Sequence, residues 1–120
     1  MKTWAVVGLG NNPERAAFGV AKLLQDNGHR IIPVYPRAET VHGEVGYKTL
    51  LEIPGSVDVV DCFVNSTLVG KVVDEAIAIG AKAVWLQLDV IDNDAIARAQ
   101  AAGLVTVMDR CPAIEYRKKS

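Results

Sequence analysis

Trp4-Ala5-Val6-Val7-Gly8-Leu9-Gly10-Asn11-Asn12-Pro13 is the stretch on which the fold turns. Its first four residues are apolar with no polar alternation, the pattern of a short strand buried on both faces. Gly8-Leu9-Gly10 ends that strand and turns the chain into Ala16 to Asn27, where Phe18, Val20, Ala21, Leu23 and Leu24 recur at helical spacing. Asn27-Gly28 then supplies residues that tolerate a left-handed helix end. Strand, glycine-rich turn and helix together open a βαβ unit.

The same alternation runs outward to the end of the chain. Arg30 to Tyr35 reads as a second strand, stopped by Pro36. Arg37 to Pro54 is irregular, with one short helix predicted within Lys48 to Ile53. Val57 to Phe63 is a third strand, followed by a helix over Thr67 to Ile79 that Ser66 or Thr67 would cap and Gly80 would end. Ala83 to Leu88 is a fourth strand, Asp92 to Ala102 a helix with Asp92 as its N-cap, and Leu104 to Met108 a fifth strand. From about Ala113 the polar tail is expected to be partly flexible. The rhythm predicts one α/β domain over residues 1–120, a doubly wound five-stranded parallel sheet between two helical layers. A Rossmann-like strand order of 3-2-1-4-5 is expected; a flavodoxin-like order of 2-1-3-4-5 is the alternative.

Composition narrows the function. The 120 residues are half apolar and 22% charged, with a formal net charge of −1, which is not the basic surface of a nucleic-acid binder. No apolar run reaches the ~18 residues needed to span a bilayer. The start, Met1-Lys2-Thr3-Trp4, runs straight into a strand, so a cytosolic protein is expected. Cys62 and Cys111 lack metal-ligand spacing and read as buried thiols, and no base is identifiable for Cys111. His29 and His42 have no thiol or carboxylate at triad or metal spacing and read as surface residues. No catalytic or metal-binding set is expected.

Ligands of open parallel sheets bind beyond the carboxyl ends of the strands. That places the candidate site at Gly8, Leu9, Gly10, Asn11, Asn12 and Arg15, at Tyr35, Pro36 and Arg37, at Phe63, Val64 and Asn65, and at Gln87. The first loop resembles a dinucleotide fingerprint whose third glycine is replaced by Pro13. Proteins that bind NAD carry an acid at the tip of the second strand for the ribose 2′-hydroxyl, whereas Val34-Tyr35-Pro36-Arg37 has none. Arg37 suits a ribose phosphate, as in NADP or coenzyme A. Asp61 falls where alternation buries it and is expected to hydrogen-bond neighbouring loop amides, and Asp109 and Arg110 are expected to brace the site. Trp4 and Trp85 read as core on neighbouring strands.

Val7-Gly8-Leu9, Pro13-Glu14-Arg15, Val34-Tyr35-Pro36, Val60-Asp61-Cys62-Phe63, Gly80-Ala81-Lys82, Trp85-Leu86-Gln87-Leu88 and Met108-Asp109-Arg110-Cys111-Pro112 fall in order along the chain. Together they resemble the small stand-alone CoA-binding-domain proteins, relatives of the N-terminal domain of the succinyl-CoA synthetase α subunit. The resemblance implies non-catalytic binding of CoA or an acyl-CoA over the first loop, with the adenosine end near Val34 to Arg37. Gly10 and Ala17 stand where relatives carry serine, Phe63-Val64-Asn65 lacks their arginine, and Asp89 replaces the glycine of Gln-Leu-Gly. An NADP-dependent enzyme and a ligand-free scaffold of the same fold are the alternatives. A small-molecule nucleotide partner is expected, with room for a homodimer on the last helix.

Overall fold

A computed structural model of the chain describes residues 2–109. Five parallel strands alternate with three helices: β1 (Thr3–Val7), α1 (Ala16–Asp26), β2 (Arg30–Val34), β3 (Val59–Cys62), α2 (Ser66–Ala78), β4 (Ala83–Leu86), α3 (Asn93–Ala101) and β5 (Val105–Val107). The short helix expected before β3 is a single 3-10 turn, Leu50–Glu52. The expectations for the tail from Ala113, for Cys111 and for Arg110 lie outside the described residues.

The sheet is parallel throughout, as expected, but its order is β2-β1-β3-β4-β5. This corrects the expected 3-2-1-4-5, and Pro33 is the reason. A proline has no N–H to give to a ladder and belongs on a sheet edge. The Pro33 carbonyl accepts from Tyr47 N at 2.9 Å on the side away from β1, while Val34 O accepts from Gly8 N at 2.8 Å on the side toward it. The proline nitrogen therefore points outward, where Tyr47 makes only a one-residue bridge. With that edge unfit for a full strand, the chain returns and β3 pairs with β1 in the register Trp4↔Val59 to Val7↔Cys62.

Each face has its own core. On one side Trp4, Val6, Ile31 and Val59 pack against Ala17, Val20, Ala21 and Leu24 of α1. On the other, Ala5, Val7, Val60, Cys62, Val84 and Leu86 pack against Val69, Val73 and Ala76 of α2 and Ala95 and Ala99 of α3. Trp4 and Trp85 are not on neighbouring strands, because β3 lies between β1 and β4. Their rings nonetheless meet, with centroids 5.7 Å apart, since both stand on the α1 face. Among the described residues no helix is long and apolar enough to cross a membrane.

Candidate functional site

The carboxyl ends of β1, β2 and β3 are gathered by a few close contacts. Gly8 has φ +99°, and a Cβ there would stand 2.5 Å from the Phe63 carbonyl oxygen, so the first loop approaches the end of β3 as only glycine allows. Asn12 turns the chain into α1: its side chain accepts from Glu14 N at 3.0 Å and its carbonyl from Arg15 N at 3.1 Å. The three helices then differ at their starts. Asn65 caps α2 and Asp92 caps α3, each accepting a backbone N–H. That corrects the expected cap of Ser66 or Thr67. The start of α1 at Arg15 has no side-chain cap and no acid in its first turn. Phe18 N donates to Arg15 O at 3.1 Å, so among the described residues the Ala16 and Ala17 amides are the ones left to an anion or to water.

Two chambers open above this edge and meet at Arg15 and Tyr35, which line both. The smaller, about 360 Å³, is lined by Gly10, Asn11, Asn12, Arg37 and Glu39 besides those two. The larger, about 710 Å³, has apolar walls from Pro36, Phe63, Val64, Leu68 and Val72 and a polar rim that includes Lys48, Asn65, Lys71 and Glu75. Among the described residues the ion pairs are Lys22–Asp26, Lys82–Asp58 and Arg98–Asp74, all outside these linings. Among the described residues Arg15, Arg37, Lys48 and Lys71 have no ion-pair partner and stand as unneutralised cations around the two chambers.

Eleven of the sequence-derived site residues line one chamber or the other: Gly8, Gly10, Asn11, Asn12, Arg15, Tyr35, Pro36, Arg37, Phe63, Val64 and Asn65. Leu9 and Gln87 line neither. Leu9 is fully buried in the α1-side core, and Gln87 is 4% exposed with its Nε2 donating to Asp61 Oδ1. Asp61 is buried as expected, but its partner is the Gln87 side chain and not a loop amide, and its Oδ2 has no hydrogen-bond partner among the described residues. Burial pushes the Asp61 carboxyl up to about 8, against a smaller opposing effect of the Gln87 bond. Burial likewise pushes the Cys62 thiol far up, an inert setting.

The remaining singled-out groups among the described residues line neither chamber. Asp89, at φ +67°, lines neither chamber, and its N–H donates to Asp109 Oδ1 at 2.7 Å, so Asp109 braces the loop after β4. The histidines are half-buried and not simply on the surface. His42 packs on Phe18 at 4.3 Å and its Nε2 lies 2.8 Å from Phe18 O, while His29 packs on Trp4 at 5.9 Å. Asp58 accepts from Thr3 N at 2.8 Å, the bond that mainly holds its carboxyl below the usual range. No group of three or more His, Cys, Asp or Glu side chains suited to a metal occurs among the described residues.

Besides the strand ends Val7 and Val34, the sequence reading missed Glu39, Lys48, Thr49, Leu68, Lys71, Val72 and Glu75. Four of these carried a signal: Leu68, Lys71, Val72 and Glu75 fall at i, i+3, i+4 and i+7 of α2, one stripe of a helix. Glu39 and Lys48 sit in the irregular segment after β2, where no period marks a side chain's direction.

A parallel five-stranded sheet with a cationic trough at its carboxyl edge defines a Rossmann-like α/β domain. The chain belongs to the CoA-binding-domain family, whose model matches residues 2–117. It is 34% identical over 110 residues to the uncharacterized protein YneT of Bacillus subtilis, covering 92% of this chain and 82% of that one. It is 36% identical over 81 residues, 67% of this chain, to the alpha subunit of the ADP-forming acetate–CoA ligase II of Pyrococcus furiosus, of which it spans 18%. Among solved structures, a hypothetical protein from Pyrococcus horikoshii OT3 superposes with a TM-score of 0.93 at 39% identity, over 98% of this chain and 82% of that one.

Proposed function

We propose that the chain is a non-catalytic, cytosolic binding domain for coenzyme A or an acyl-CoA. The observation that carries this reading is the set of four unneutralised cations, Arg15, Arg37, Lys48 and Lys71, around two chambers that meet at the glycine loop. A polyanionic ligand with an apolar arm suits that arrangement: cations take phosphates, and the walls formed by Phe63, Val64 and Leu68 take the uncharged remainder. The pyrophosphate lies against the amides of Gly8 to Asn12 and the open start of α1, with Arg15 beside it. The adenosine end lies along Val34 to Arg37, its 3′-phosphate at Arg37. Lys48 and Lys71 restore, from a loop and from α2, the charge that Asn65 does not provide at the end of β3.

CoA or an acyl-CoA is therefore expected to raise the melting temperature of the purified protein, and Arg15→Gln to shrink that shift with little change in the unliganded melt. No shift at millimolar CoA, with none for acyl-CoAs, would overturn the reading. Glu39 beside the loop is the one observation that favours a nicotinamide dinucleotide instead, since an acid there suits free ribose hydroxyls. Quenching or a blue shift of NADH fluorescence on adding protein, with no CoA shift, would select that second reading.

A further inference from the structure

The smaller chamber holds a charge that phosphate binding alone does not use. Glu39 Oε1 stands 3.1 Å from where a Cβ on Gly10 would be, and its Oε2 accepts from Asn11 Nδ2 at 3.4 Å. The same Asn11 nitrogen donates to Thr40 O at 3.0 Å, tying this segment to the phosphate-facing loop. The backbone around Glu39 is also held: Ala38 sits at φ +50°, and Glu39 O lies so near Gly46 that no Cβ fits between them. The backbone that carries Glu39 is thus held at the chamber, and its carboxylate reaches the loop through Asn11. Arg15 and Arg37 face the same space, yet neither forms an ion pair with it.

A carboxylate without an ion-pair partner among the described residues, this close to the loop, opposes a ligand that offers only phosphate. It favours one that offers a phosphate and a hydroxyl side by side, since a hydroxyl donates to a carboxylate while the phosphate meets a guanidinium. We propose that Glu39 accepts a hydrogen bond from the free 2′-hydroxyl of a 3′-phosphorylated ribonucleotide whose phosphate Arg37 holds, so that the smaller chamber selects ribose over deoxyribose. The inference rests on the coenzyme A reading, because CoA carries a 3′-phosphate next to a free 2′-hydroxyl. The acid role read as missing from the tip of the second strand is supplied from beyond it, by a residue that the turn after Pro36 carries back to Gly10.

The test titrates adenosine 3′,5′-bisphosphate and its 2′-deoxy analogue into the wild-type protein, Glu39→Gln and Glu39→Ala at one ionic strength, with the unliganded melt checking that each variant folds. Wild type is expected to prefer the ribonucleotide by about tenfold, the loss from one unmade charged hydrogen bond. Glu39→Ala is expected to bring the two ligands within about twofold, and Glu39→Gln, which keeps an acceptor, to lie between. Equal binding of both ligands by wild type, a preference that survives Glu39→Ala, or equal tightening of both ligands in the variants would each overturn the proposal while leaving the CoA reading in place. Failure of CoA itself and of both bisphosphates to bind would overturn the CoA reading and the proposal together.

Discussion

At the scale of single residues, two glycines two positions apart have different duties. Gly8 needs both its positive φ and the absence of a Cβ against Phe63 O, so Gly8→Ala should destabilise by about 2–4 kcal/mol, read as a lowered melting temperature. At Gly10 an added Cβ would meet the Glu39 carboxylate, a movable side-chain end, at 3.1 Å, and the Tyr35 ring at an ordinary contact distance of 3.7 Å. Gly10→Ala should leave the melt within a few degrees of wild type; an equal loss in both variants would contradict this account of the loop. Asp61 makes a second residue-scale prediction. Its carboxyl titrates at about 8 in the fold against an ordinary value of 3.8, so the folded state holds a proton that the unfolded chain has lost. Stability from this group must then fall as pH rises from about 4 to about 8 and level off above that. Melts of wild type and Asp61→Asn from pH 5 to pH 9 should diverge in favour of the variant as pH rises, and parallel curves would refute the assignment. The burial of Asp61 was legible from strand alternation, but its Gln87 partner was not, because that contact depends on which strand lies beside which.

At the scale of elements, the strands and helices were readable because apolar runs, caps and glycines mark them locally. Asp92 is the clearest case, caught as the N-cap of α3, with its carboxylate accepting from Ala95 N at 3.0 Å. Replacing it by alanine should cost about 1 kcal/mol, as should Asn65→Ala at α2. Arg15→Ala at the uncapped α1 should cost the fold much less while weakening CoA binding, and the two effects separate in a melt taken with and without ligand. Strand order was the element-scale property that local pattern did not decide. The information was present in Pro33, whose missing N–H assigns β2 to an edge, but it is a statement about hydrogen-bond direction and not about periodicity. The stripe of Leu68, Lys71, Val72 and Glu75 was equally present as a helical period; it gained meaning only once β3 was known to bring α2 beside the glycine loop.

At the scale of the whole molecule, a net charge of −1 conceals a local excess of positive charge. Among the described residues, the cations that pair with acids do so away from the carboxyl edge, while Arg15, Arg37, Lys48 and Lys71 stand unpaired around it. Because these groups are exposed, their attraction for a phosphorylated ligand should weaken with salt, over a screening length of about 8 Å at 0.15 M. The most direct test of the central claim is a calorimetric titration of coenzyme A into the purified protein at low and at physiological salt, repeated with Lys48→Gln/Lys71→Gln. The account predicts saturable binding of one CoA per chain, weaker at the higher salt and weaker in the double variant. Absence of saturable heat at millimolar CoA, or binding indifferent both to salt and to the loss of the two lysines, would contradict it.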